Sequence, residues 1–175
     1  INAIPRFGHW KDSAVMIKGE AVWSLTVMFL TFYNSITKQK EDLLPFKPIY
    51  DTLSHDGYVQ PFSDSPTDEE PVGETAHLNL ISYAKEYLYI QTPYLVIDYN
   101  MLLALSTAAK NGVDVRLMLP YIPDKWYVQM VSRSNYVQLL KAGVKIYEYE
   151  PGFIHAKAMV ADDRCAIVGT TNMDF

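Results

Sequence analysis

The sequence predicts an α/β fold with a layered, mixed β-sheet, and three observations carry that prediction. From Val72 onward, short apolar runs rich in β-formers alternate with stretches of helical spacing. Glycine or proline punctuates most of the boundaries between them. The last three strand-like runs follow one another with no helical stretch between them, which predicts an antiparallel edge.

The elements follow in order. "SAVMIK", residues 13–18, suits a short strand broken by Gly19. "EAVWSLTVMFLTFYNSIT" reads as a helix, with Val22, Leu25, Phe29, Phe32 and Ile36 at helical spacing. "KQKEDLLPFKP" is a connector, "YVQPF" an edge strand that tolerates Pro61, and "SDSPTDEEP" a loop. "ETAHLNLISYAKE" is a helix and "YLYIQT" a strand closed by Pro93. "YNMLLALSTAAKN" is a helix stopped by Gly112, and "VDVRLML" a strand stopped by Pro120. "KWYVQMVSRSNYVQLLKA" is a helix ended by Gly143, and "VKIYEYE" is a strand before a Pro151-Gly152 turn. Two final strands, "FIHAKAMVA" and "CAIVGT", are joined through Asp162-Asp163-Arg164.

Composition limits the function classes. The chain has 175 residues, 49% of them hydrophobic and 20% charged, which suits one folded core. Its net charge of -5 leaves no broad basic field for nucleic acid, so no nucleic-acid partner is expected, although a locally basic cleft stays open. The longest apolar stretch, Ala21 to Tyr33, falls short of the roughly 18–20 residues a membrane span needs, and it reads as a buried helix. The single cysteine, Cys165, sits in an apolar run and reads as buried and structural. The chain starts without methionine and ends without a polar tail, so both ends read as cut ends of a longer protein.

The chemistry gathers at "FIHAKAMVADDRCAIVGTTNMDF". On a continuous strand, His155 and Lys157 project to one face while Ile154, Ala156, Ala158 and Val160 project to the other. Asp162 falls at the hairpin turn, and Gly169 to Asn172 offers small residues and hydrogen-bond donors. A histidine beside a fixed positive charge and an amide donor suits phosphoryl chemistry. Histidine can attack phosphorus or protonate a leaving alkoxide. Lysine, with Thr170 and Asn172, can offset charge on the non-bridging oxygens. An ordinary solvated edge accounts for a lone His-x-Lys, and an ordinary turn for Asp-Asp-Arg. The full pattern, His155-x-Lys157-x4-Asp162-x6-Gly169-Thr170-x-Asn172, arises by chance about once in thirty million start points at equal residue frequencies.

This pattern resembles the HKD motif of the phospholipase D superfamily. The flanking sequence is similar to bacterial cardiolipin synthases. "YIQTPYLVIDYN", "NGVDVRLMLP", "PYIPDKW" and "LLKAGVKIYEYEPGFIHAKAMVADD" resemble the approach to the second HKD motif, with Thr92-Pro93-Tyr94, Pro120 and Asp124 in place. "FGHWKDSAVMIKGEAVWSLTVMF" resembles the segment after the first motif, with Trp10, Asp12, Ile17 and Gly19 at the family offsets. The likeness is weakest over residues 37–75, where Ser65 replaces the glycine of a Ser-Gly-Pro loop.

The resemblance implies one α/β/α half of a bilobal enzyme. It divides the chain into the end of the first half (1–40), a connector and the start of the second half (41–71), and the second half with the HKD motif (72–175). It implies a metal-free, two-step transfer through a phosphohistidine that joins two phosphatidylglycerol molecules and releases glycerol at a bacterial membrane surface. His155, Lys157 and Asp162 form the implied catalytic set. In it His155 is the acid/base and Asp162 holds the hairpin. Lys157, Thr170 and Asn172 bind the phosphate oxygens. The other HKD half is expected in cis or from a second chain. His55 and His77 lack a lysine two residues on, and His9, followed by Lys11, has Met16 where the pattern needs an aspartate; all three read as surface or packing residues. The family's acidic residue that orients the histidine is expected beyond Phe175. A phospholipase D-type phosphodiesterase or nuclease, and a non-catalytic interaction module, stay open at this level.

Overall fold

A computed structural model describes residues 8–50, 57–64 and 70–174. Within these, 8–14 and 74–174 belong to one compact unit and the described part of 15–73 to another. His55 and Ser65 lie outside the described residues.

The unit of residues 15–73 is built on helix α1, Ala21–Thr37. The expected buried helix is instead largely exposed. Leu30 is its one buried residue, and Phe29, Phe32 and Ile36 are each more than 60% exposed. Helical spacing fixed where the apolar stripe runs, but no described residue covers it. The strands expected at 13–18 and 58–62 are absent. A strand is stable only against a partner, and neither segment has one among the described residues; Val15, Met16 and Tyr58 are exposed.

The other unit begins with strand β1, His9–Lys11, and continues through α2 (Val72–Tyr83), β2 (Tyr87–Gln91) and the short β3 (Leu95–Val96). Next come α3 (Tyr99–Lys110), β4 (Asp114–Pro120), α4 (Trp126–Ala142) and β5 (Lys145–Tyr149). The terminal segment gives β6 (Gly152–Ile154), β7 (Ala158–Ala161), β8 (Cys165–Val168) and β9 (Met173–Asp174). The main sheet has the order β5-β4-β2-β7-β8, parallel through β5, β4 and β2 and antiparallel through β7 and β8. This is the expected α/β class with a mixed sheet. The antiparallel edge is where the helix-free succession placed it, although β5 joins the opposite edge, parallel to β4.

Alternation along β4 decides the layering. Val115, Leu117 and Leu119 are buried on one face, with Leu88 and Ile90 of β2 and Met159 and Ala161 of β7. Leu80 and Ile81 of α2, Met101 and Leu105 of α3 and Leu139 of α4 complete that core. The opposite face is half exposed and polar: Asp114 bonds Arg116 and Lys145 there, and the Arg116 guanidinium lies 4.8 Å from the Tyr89 ring centroid.

Local chemistry sets the boundaries. The Asp98 carboxylate accepts the Met101 N–H at 2.8 Å and caps α3. Gly143, at φ 100°, ends α4 in the left-handed conformation that a glycine reaches at little cost. Asp162 and Asp163 both take positive φ (55° and 53°), the tight turn that suits the twist of the β7–β8 hairpin. Cys165 at the start of β8 is exposed, not buried as its apolar run suggested, because it sits at the turn end of an edge strand. Among the described residues no helix is long and apolar enough to cross a membrane.

Candidate active site

The expected continuous strand over 153–161 is broken, and the break makes the site. β6 leaves the main sheet and pairs in parallel with β1, Trp10 opposite Phe153 and Lys11 opposite Ile154. The His155 N–H donates to the Lys11 carbonyl at 2.7 Å and continues that pairing. After His155-Ala156-Lys157 the chain enters the main sheet as β7. Gly152 permits the close approach of β1 and β6, since a Cβ there would overlap the His9 carbonyl and lie 2.8 Å from its nitrogen.

This pairing sets Asp12, one residue beyond β1, beside His155. Asp12 Oδ2 lies 2.9 Å from His155 Nδ1, across 143 residues of sequence. The Ser13 N–H donates to the other oxygen, Asp12 Oδ1, at 2.9 Å. The bond to His155, with smaller help from that N–H, holds the Asp12 carboxyl below its ordinary range. Trp10 and Phe153 wall the imidazole, with ring centroids 5.3 and 6.1 Å from it. With Nδ1 committed to Asp12, Nε2 is the nitrogen left for proton transfer. The side chains of His155 and Asp12 are 37% and 41% exposed, open enough for a reactant.

Lys157 is not displayed on a sheet surface as strict alternation required. It is buried, and its ammonium donates to the His155 carbonyl at 2.6 Å. Burial lowers its pKa from the ordinary 10.5, opposed by the negative charges of Asp12 and Asp174. The Gly169 N–H donates to the Lys157 carbonyl, which places the exposed Thr170 beside this stretch. Asn172 turns inward: its amide nitrogen lies 3.3 Å from Asp174 Oδ2, and its Oδ1 is buried without a partner among the described residues. β9 is anchored by pairing with β3 and by the Met173 N–H, which donates to Thr92 Oγ1.

Asp162 does not join this group. The register puts Ala158 opposite Gln91 and Ala161 opposite Leu88, so Asp162 lies at the other end of β7 from Lys157. Its carboxylate accepts the N–H groups of Lys85, Glu86 and Tyr87 at 2.7, 2.9 and 2.8 Å. Those bonds, that of Tyr87 foremost, depress its pKa. The carboxylate is a latch between the hairpin turn and the start of β2. His77 is buried in α2 and His9 is exposed in β1. Among the described residues no three His, Cys, Asp or Glu side chains converge on a point that could hold a metal ion.

The residue that sequence reasoning left unassigned is Asp12. The resemblance places the carboxylate for His155 beyond Phe175, whereas the structure supplies one from the upstream "GHWKD" segment. The only signal in the chain was its place after Trp10 in that segment; spacing carries none across so long a separation.

Comparison with known proteins places the chain in a family. The family model "Cardiolipin synthase, PLD-like domain" matches residues 77–175. An uncharacterized protein of Streptococcus mutans serotype c is 47% identical over 175 residues, covering 100% of this chain and 38% of that protein. A cardiolipin synthase of Halalkalibacterium halodurans is 38% identical over 174 residues, covering 98% of this chain and 34% of that one. A cardiolipin synthase of Geobacillus thermodenitrificans is 41% identical over 171 residues, with coverages of 97% and 34%. The chain thus spans 34–38% of the length of these relatives. Among solved structures, the phospholipase D family member Nuc from Salmonella typhimurium is similar with a TM-score of 0.48 at 20% identity, covering 57% of this chain and 64% of that one. The match over 77–175, joined to the HKD pattern within it, means that the chain belongs to the phospholipase D superfamily and carries its cardiolipin synthase PLD-like domain.

Proposed function

We propose that this chain supplies one half of the active site of a phosphatidyltransferase that makes cardiolipin from two phosphatidylglycerol molecules and releases glycerol. The observation that carries the reading is the Asp12–His155 pair, which fixes the imidazole by Nδ1 and leaves Nε2 for proton transfer. Lys157 lies two residues on, buried in a low-dielectric setting where its charge counts for more toward phosphate oxygens. Thr170 and Asn172 would donate to the same oxygens.

In this reading His155 is the acid/base, and a second histidine, from elsewhere in the full-length protein or from another chain, attacks phosphorus. In the first step the P–O bond to glycerol breaks as the P–N bond forms, and His155 protonates the departing alkoxide. In the second, His155 takes the proton of the incoming alcohol as its oxygen displaces the histidine nitrogen. Asp12 stabilises the imidazolium that gives its proton in the first step and is restored in the second. The acidic balance, 15 basic against 20 acidic residues, favours a lipid headgroup over a nucleic-acid strand. The division into 1–40, 41–71 and 72–175 belongs to the same proposal, as does action at a membrane surface.

The test is product analysis with the full-length protein and phosphatidylglycerol vesicles. Cardiolipin and glycerol in equal amounts are expected. Phosphatidic acid as the sole lipid product, or cleavage of nucleic acid in its place, would replace transfer with hydrolysis.

A further inference from the structure

Beyond the histidine, the same end of the sheet holds a second polar feature. β2 and β4 are parallel neighbours, and the residues just past their C-terminal ends, Pro93-Tyr94 and Pro123-Asp124-Lys125, wall a pocket. Ligands in open α/β sheets bind at this end of the strands. Gln91 at the end of β2 pairs with Ala158 on one side and Met118 on the other, so Lys157 and this pocket share one edge of the sheet. Phe153 links them directly: it lines the pocket, and its ring packs at a tilt against Trp10 and His155. Asp174 links them electrostatically, since its charge acts on both Tyr94 and Lys157.

The pocket's polar groups have unspent hydrogen-bonding capacity. The Tyr94 hydroxyl donates to Asp124 Oδ2 at 2.7 Å, and the Lys125 ammonium lies 5.3 Å from the Tyr94 ring centroid. Burial and the Asp124 carboxylate raise the Tyr94 pKa, so the phenol keeps its proton and holds the carboxylate in place. Gln129 and Ser132 are engaged with backbone, through the Tyr121 carbonyl and the Leu95 N–H. What remains is donor capacity on the exposed Lys125 ammonium, and acceptor capacity on half-buried Asp124, whose Oδ1 has no partner among the described residues, and on the Tyr94 oxygen. These acceptors suit a ligand that brings an O–H donor to them while a second, adjacent hydroxyl stays free to react.

We propose that Tyr94 and Asp124, with Lys125 beside them, form the subsite that selects a vicinal-diol alcohol as acceptor of the transferred group. The proposal rests on the phosphatidyltransferase reading above. One hydroxyl of the diol is held by the carboxylate, which aims the other at phosphorus. The aimed oxygen forms a P–O bond as the P–N bond to the nucleophilic histidine breaks. The electron pair of that bond returns to the imidazole nitrogen, and the alcohol proton passes to His155. Water, lacking a second hydroxyl, gains nothing from this subsite, which favours transfer over hydrolysis.

The experiment is a competition in the full-length protein. Phosphatidylglycerol vesicles serve as donor, and 1,2-propanediol and 1-propanol, which differ by one hydroxyl, compete at equal concentration. Wild type is expected to favour the diol product. Asp124→Asn turns an amide donor toward the pocket and is expected to lower the diol-to-monool ratio about tenfold. Tyr94→Phe, which releases the carboxylate but keeps the ring, is expected to shift it the same way. If Asp124→Asn loses its thermal unfolding transition, Tyr94→Phe alone decides. A wild-type ratio near one, or ratios unchanged in the folded variants, overturns the subsite while transfer itself stands. Failure of wild type to form either alcohol product overturns the transferase reading and the subsite with it.

Discussion

At the residue scale, the proposed function turns on what each nitrogen of the site is committed to. His155 is oriented through Nδ1 by a carboxylate that comes from the opposite end of the chain, and Lys157 is oriented through its own neighbour's carbonyl. Lys157 gives a pH prediction. Burial lowers its pKa below 10.5, so on raising the pH the folded protein loses this ammonium before an ordinary lysine would lose its own. Between the lowered value and 10.5 the unfolded chain binds more protons than the folded one, so this residue's cost to stability shrinks as pH rises. If the cation is needed for turnover, activity falls on the alkaline side of the profile below 10.5. Lys157→Arg, which stays protonated, should move that limb upward. A limb that does not move assigns the loss to another group. Asp12 has the opposite sign: its pairing stabilises the fold above its ordinary 3.8, and that contribution is lost as pH falls through the lowered value. The motif made His155, Lys157 and Asn172 legible in the sequence; their partners were not, because hydrogen-bond partners across a fold leave no local spacing.

At the element scale, the short β1–β6 pairing carries the site. Gly152→Ala would push a Cβ into the His9 backbone, part the two strands and withdraw Asp12 from His155. Turnover should fall about as far as in Asp12→Asn, while the main-sheet core keeps its melting cooperativity. Wild-type turnover in Gly152→Ala would show that the pairing does not position the carboxylate. Helices α3 and α4 and strands β2, β4 and β5 were legible within a residue or two, because helical periodicity, Asp98 and Gly143 are local signals. The division of 153–161 into β6 and β7 was not. Its residues alternate as one strand would, and only the distant partners, β1 for one part and β2 for the other, break it. Asp162 followed a similar course. The turn was readable from Asp-Asp, but the three backbone N–H groups its carboxylate accepts lie more than seventy residues away.

At the scale of the whole molecule, one apolar layer supports the unit that carries the site. Leu117, in the middle of β4, is fully buried between the sheet and its helices. Leu117→Ala should cost about 2–5 kcal/mol, read as a lower Tm in a thermal melt. A loss below about 1 kcal/mol would show the core repacking around it. The apolar stripe of α1 shows the limit of reading burial from one sequence: periodicity locates the stripe, but whether a partner covers it depends on residues elsewhere. The central claim is that His155, oriented by Asp12, moves the proton in phosphatidyl transfer. Its most direct test is the rate of cardiolipin formation by the full-length protein in phosphatidylglycerol vesicles, wild type against His155→Ala and Asp12→Asn, with each variant's melt recorded. The expected result is a loss of about 10²- to 10⁴-fold for His155→Ala and about tenfold or more for Asp12→Asn, with melting little changed. Wild-type rates in a folded His155→Ala protein would contradict it.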